Sequence, residues 1–244
     1  MTKPPPLYQK VREQLVKSLT NGEWLPGAML PSEPKLAERF KVGISTIRAA
    51  LRDLEKAQVL IRAQGRGTYV AQIDQREGVH RFLNIVRNDG GHEAPSRRLL
   101  TFERIDAPPS IAELLGLPRT AGGEKVFKLT TLVSLNDLPV YYSNVFLPVL
   151  PFRGLKRASV PDGNRSLYSL YQQLFNINVT RVIDSISATP APAAVAKLCN
   201  TRPGACSLCL TRVSYTYKGE AVEVRRNWVN TVNHCYRIEQ GEMV

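Results

Sequence analysis

Residues 28–70, AMLPSEPKLAERFKVGISTIRAALRDLEKAQVLIRAQGRGTYV, leave few folds open. Ser32 is a helix N-cap, and Pro34 sits in the first turn, where a missing N–H costs little. Leu36, Ala37 and Phe40 then form an apolar stripe on a helix of about two turns. Lys41-Val42-Gly43 breaks it, because Gly43 can take a positive φ or serve as a non-helical cap. The next helix is predicted over 44–58, with Ile47, Leu51 and Leu54 inward at i, i+4 and i+7 and with Ser45, Thr46, Arg48, Ala49 and Arg52 outside. Val59–Ile61 and Thr68–Val70 read as strands joined by Ala63-Gln64-Gly65-Arg66-Gly67. Each feature alone fits an ordinary amphipathic helix or a solvated turn. Their order, helix, turn, helix, basic glycine hairpin, is that of a winged helix-turn-helix, which lays one helix in a DNA groove.

On that reading Ser45, Thr46, Arg48 and Arg52 reach base edges and phosphates from the second helix. Gln64, Gly65, Arg66, Gly67 and Thr68 form the wing, where glycine lets backbone come near a narrow groove and Arg66 supplies charge. The charge distribution agrees. The chain of 244 residues carries a net +12, and residues 1–72 hold 12 Lys/Arg against 6 Asp/Glu. The first 72 residues therefore contribute half of the excess at more than twice the density of the rest, as a phosphate-binding head requires.

The N-terminus, MTKPPPLYQK, lacks an apolar signal core, and no apolar run approaches 18 residues, so the expectation is a cytoplasmic protein with no membrane partner. Cysteines 199, 206, 209 and 235 then need not form disulfides. Cys206-x-x-Cys209 invites a zinc site, yet it lies in a strand-like run, where positions three apart face opposite sides. Neither metal nor cofactor is expected. His80, His92 and His234 have no spacing that suggests a triad, and Gly122-Gly123 lacks a phosphate-loop context, so no enzyme is expected either.

Leu7-Tyr8, Val11, Leu15 and Leu19 make a first amphipathic helix stopped by Gly22, and Ala71–Gly78 reads as a linker. The chain thus divides into a head, 1–72, a linker, 73–78, and a body, 79–244. In the body, strands are predicted at Arg98–Asp106, Val126–Leu135, Val140–Leu147, Arg181–Ala188, Leu208–Tyr217 and Ala221–Val229. Ser110-x-x-Glu113 reads as a capping box, Ser166 caps a helix through Leu174, and Thr189-Pro190 starts a short Ala-rich helix to about Leu198. This order gives an α+β fold around one mainly antiparallel sheet.

LPSEPKLAERFKV, STIRAAL and QGRGTYV closely resemble the DNA-binding domain of the GntR family of bacterial transcription regulators, over residues 7–72. NDLPVYYSNVFLP, SLYSLYQQLF and YTYKGEAVEVRRNW resemble the UTRA ligand-binding domain of that family's HutC branch, a chorismate-lyase-like fold, over about residues 79–240. The resemblance implies a repressor, working as a homodimer on a palindromic operator in double-stranded DNA and released by a small-molecule effector. Relatives carry an Arg-x-Arg pair that holds phosphate; Thr131 and Val133 stand at those positions, so the effector is expected not to be a sugar phosphate. Ser143, Ser166, Tyr168 and Glu223 fall at the family's pocket positions. Arg225 shares Glu223's strand face, and Arg97, in the first body strand, could meet an anion. Singly, Ser166 could be a plain cap, and Glu223 with Arg225 a surface ion pair.

Overall fold

The computed structural model describes residues 5–57, 59–71, 84–90, 95–118 and 123–238. The predicted linker 73–78, together with His80 and His92, lies outside these.

In the head, α1 (Leu7–Thr20), α2 (Glu33–Phe40) and α3 (Ile44–Lys56) are followed by β1 (Leu60–Ala63) and β2 (Gly67–Val70). Leu15, Leu36, Ile47 and Leu54 are fully enclosed in one core. Ser32 does precede α2, but its side chain makes no cap bond. The left-handed residue of the break is Lys41 (φ 52), not Gly43, which takes an extended conformation (φ −67, ψ 150) as N-cap of α3. The chain before α2 braces the hairpin, with Leu30 N–H donating to Thr68 O and Val70 N–H to Ala28 O.

The body is a six-stranded antiparallel sheet in the order β4-β5-β6-β9-β8-β7. Its strands are β4 (Pro95–Asp106), β5 (Lys125–Leu135), β6 (Leu138–Pro148), β7 (Val179–Pro190), β8 (Cys206–Thr216) and β9 (Ala221–Val229). Helices α4 (Pro109–Leu114) and α6 (Ala193–Leu198) pack on one face, with Ile111 against Val126, Phe146 and Val224, and with Val195 and Cys199 against Leu132. Helix α5 (Leu167–Phe175) covers one end of the other face. A ribbon of β3 (Ile85–Arg87) and β10 (His234–Tyr236), absent from the sequence reading, covers the far end. Three-residue strands are too short to show an alternation.

Two expected boundaries are corrected. Helix α4 is capped by Pro108 and includes Ser110 in its first turn, so there is no capping box; Ser110 Oγ instead accepts from Arg226 Nη2 at 3.0 Å. β7 runs on through Thr189-Pro190, paired with Ser207 and Cys206, and α6 begins only after Pro192. Proline at a strand end loses no needed ladder bond, so the earlier proline was a poor start signal. Ser166, by contrast, caps α5 by accepting from Tyr168 N–H at 3.1 Å.

Candidate nucleic-acid interface and effector site

Helix α3 turns Ile47, Ala50, Leu51 and Leu54 into the core. Positions i, i+3 and i+7 on the opposite side are Ser45, Arg48 and Arg52, all exposed, with Thr46 half-buried beside them. In the wing, Arg66 N–H donates to Ala63 O at 2.9 Å and Tyr69 OH donates to Arg66 O at 3.1 Å, which fixes the tip. Gly65 (φ 72) and Gly67 (φ 121) hold conformations that side chains resist, and a Cβ on Gly67 would press on Met29 Sδ at 3.3 Å. Gln64, Arg66 and the two glycines are exposed, and Thr68 is half-buried. The nine predicted contact residues therefore fall on two adjoining patches, the outer side of α3 and the hairpin tip.

Two residues of this surface were missed. Glu33, in the first turn of α2, accepts from Arg48 Nε and Nη2 on Oε2 (3.1 and 2.9 Å) and from Arg62 Nη2 on Oε1 (2.7 Å). Arg48's hydrogen bonds hold the Glu33 carboxyl below its ordinary 4.5. One carboxylate thus ties the groove helix to the wing. The clue was available: Arg62 sits three residues before Gly65 of the tip, facing Thr68 across the hairpin.

The body's chemistry lies on the sheet face beneath α5. In-register neighbours of antiparallel strands share a face. Thr131 faces Ser143, Ser143 faces Asn227, and Arg225 faces Arg212, which faces Asp184. These residues form a polar band between two apolar clusters, one around Tyr171 and Phe152 under α5, the other around Val133, Tyr141 and Val229 under the ribbon.

Glu223 is fully enclosed and is the hub of the band. It accepts from Tyr171 OH (2.5 Å), Tyr168 OH (3.3 Å), Ser214 Oγ (3.2 Å) and Arg225 Nη2 (2.8 Å). The Glu223–Arg225 pair is therefore interior, not a surface ion pair. Arg212 holds Asp184 through two bonds of 2.6 Å, and Tyr236 of the ribbon also donates to Asp184. Arg97 turns inward and donates from Nη2 to Pro161 O (2.9 Å) and Arg165 O (2.6 Å). Burial, with Arg225's charge second, pushes its guanidinium down to about 10. Burial raises the Tyr141, Tyr168 and Tyr171 phenols, so all three stay neutral.

Four buried atoms on this face, Arg97 Nε, Arg225 Nε, Ser143 Oγ and Asn227 Oδ1, have no hydrogen-bond partner. An unmet buried polar group costs about 1–3 kcal/mol, so four on one band need a reason. The band brings together Arg97, Thr131, Ser143, Glu223 and Arg225 from the sequence reading, with Tyr168 above it; Ser166 serves as the cap of α5. Val133, at the second of the two lost arginine positions, belongs to the apolar cluster under the ribbon. Asn227, Arg212, Asp184, Tyr171 and Tyr236 were missed, although Asn227 continues the Glu223, Arg225 alternation. No cluster of three or more metal-ligating side chains occurs among the described residues.

Helix α5 leads from this band to the head. Its C-cap, Asn176 (φ 53), donates from Nδ2 to Thr20 O at 3.2 Å and Leu19 O at 3.4 Å, the last carbonyls of α1. Gln172 donates to Ala71 O at 3.1 Å, and Thr20 Oγ1 lies 3.4 Å from Tyr217 OH.

Compared with known proteins, residues 7–70 match the bacterial regulatory proteins of the gntR family, and residues 90–233 match the UTRA domain. The chain belongs to the GntR family of bacterial transcriptional regulators. Among its relatives, the HTH-type transcriptional repressor NagR of Bacillus subtilis is 27% identical, over 90% of this chain and 88% of that protein. The probable fructoselysine utilization operon transcriptional repressor of Escherichia coli O157:H7 is 30% identical, over 75% and 74%. The solved ligand-binding domain of a GntR-family regulator from Bordetella bronchiseptica superposes with a TM-score of 0.60 and 29% identity, covering 66% of this chain and 98% of that one. As a GntR protein with a UTRA domain, the chain is a DNA-binding transcriptional regulator under the control of a small-molecule effector, not an enzyme. Among the described residues no helix is long and apolar enough to cross a membrane.

Proposed function

We propose that this regulator represses by binding a palindromic operator as a homodimer in the cytoplasm, and that a compact monoanionic metabolite releases it. In the dimer two heads would meet half-sites about one helical turn apart, with Ser45, Thr46, Arg48 and Arg52 on bases and phosphates and the Gln64–Thr68 wing beside them. The body supplies the means to pair: β7 is a twelve-residue edge strand with Ile183 and Ile186 exposed, an edge that invites a partner strand.

The effector reading rests on the polar band. Its enclosed charges are three guanidiniums, Arg97, Arg212 and Arg225, against two carboxylates, Asp184 and Glu223, an excess of one positive charge, with the exposed Asp162 acting on Arg97 from outside the band. A monoanion such as a carboxylate balances that excess, whereas a phosphate dianion leaves one negative charge uncompensated, a costly outcome in a low-dielectric site. Thr131, Ser143 and Asn227 offer the hydroxyl and amide partners that a polar metabolite needs.

The observation that carries the control mechanism is α5, which touches Glu223 with Tyr168 and Tyr171 near one end and grips the last turn of α1 with Asn176 at the other. A ligand that reseats the tyrosines changes the favoured placement of the head, so that two heads no longer fit both grooves. Thermal shift against a panel of small carboxylates and sugar phosphates tests the effector class, because a ligand that binds only the native state raises the melting temperature. Carboxylates that stabilise the protein and weaken its binding to a selected duplex are the expected result. Stabilisation by sugar phosphates alone would overturn the charge argument.

A further inference from the structure

Among the described residues Glu33 is the one acidic side chain bound to both halves of the groove-facing surface, and base or phosphate contact alone does not explain an anion there. Its side chain is 17% accessible, while those of Arg48 and Arg62 are each 49% accessible. DNA is a polyanion, so a carboxylate at its interface weakens indiscriminate attraction. We propose that Glu33 is a specificity-determining residue that holds Arg48 and Arg62 in one shared orientation and masks part of their charge from nonspecific DNA. The inference rests on the operator-reading function proposed above.

The donor count supports it. Arg48 spends Nε and one N–H of Nη2 on Oε2, which leaves Nη1 and the second Nη2 proton as a two-donor fork. Arg62 spends Nη2 on Oε1 and keeps Nε and Nη1. Each arginine can therefore reach DNA without leaving Glu33, and its rotamer is fixed before the encounter. A guanine edge needs that fixed, planar geometry; a phosphate met at an arbitrary angle does not. The tether thus favours the first over the second. Because both arginines share one carboxylate, the helix contact and the wing contact become coupled even though they lie on different elements.

Glu33→Gln keeps the shape and removes the charge. The test compares it with the wild type on two probes, the duplex that the wild type enriches from a random-sequence pool and a scrambled duplex, across a range of salt. Expected are tighter binding to the scrambled duplex, a salt slope on that duplex steeper by about one to two, and a specificity ratio lower by roughly tenfold. A second measurement stands if Glu33→Gln lowers head stability: Arg48→Gln, Arg62→Gln and the double variant in a cycle on the enriched duplex, where effects through a shared carboxylate are non-additive. An unchanged ratio and slope in Glu33→Gln, or additive effects in the cycle, would overturn the proposal. If the wild type itself enriches no duplex, operator reading fails instead, and the two failures are distinct.

Discussion

Head and body both depend on arginine, but in opposite settings. Arg48 and Arg62 in the head keep about half of their side-chain surface accessible, while Arg212 and Arg225 in the body keep 6% and 16%. The exposed pair can add a DNA contact while keeping its carboxylate, because each guanidinium has N–H groups left over. The enclosed pair cannot lose its carboxylates without stranding a charge, so it stays with its partners. The head's arginines therefore keep donors for a polyanion, and the body's arginines are committed to carboxylates within the fold.

This contrast can be broken at several points. Glu223→Ala leaves Arg225 enclosed without its partner and should cost about 3–5 kcal/mol; the body's melting transition falls by roughly 6–20 °C. A fall of only a degree or two would mean that the band is open to water and that the contrast is false. Arg48→Ala should weaken operator binding by about tenfold to a hundredfold and blur the preferred sequence, with the melting temperature nearly unchanged. Gel-shift titration on specific and scrambled duplexes checks it, and a mutant that loses stability as well would place Arg48 among structural residues. Asn176→Gly retains the left-handed cap but drops the amide that holds α1. DNA affinity and effector affinity should survive separately while the effect of one on the other, typically 5- to 150-fold, collapses toward unity. Normal release would show that α5 is not the link. Arg66→Ala is the mildest, expected to reduce the salt slope of DNA binding by about one with little change in base preference; an unaltered slope removes the wing tip from the interface.

The same contrast decides what could be read from the residues alone. The head's signals are local: Leu36, Ala37, Ile47, Leu51 and Leu54 recur at helical spacing, and Gly65-Arg66-Gly67 announces a turn, so elements and outer faces follow within a window of a few residues. In the body the strands were also legible, since apolar runs bounded by turns are local. The pocket was not. Ser143 meets Asn227 across 84 positions through strand register, and the ribbon that brings Tyr236 to Asp184 pairs residues 85–87 with 234–236. Short-range patterns carry no such pairing. Glu33 was overlooked for a related reason: its partners lie 15 and 29 residues away on two other elements. Pro190 misled because proline marks strand ends as readily as helix starts.

The ribbon of β3 and β10 has a consequence for synthesis. Every described element of the head is complete by Val70, whereas the body lacks its ribbon until residues 234–236 have left the ribosome and closed against 85–87. At bacterial elongation rates that gap lasts roughly ten to thirty seconds. During it, a nascent chain already owns its groove-binding shape but has no finished receptor for the signal that would release it.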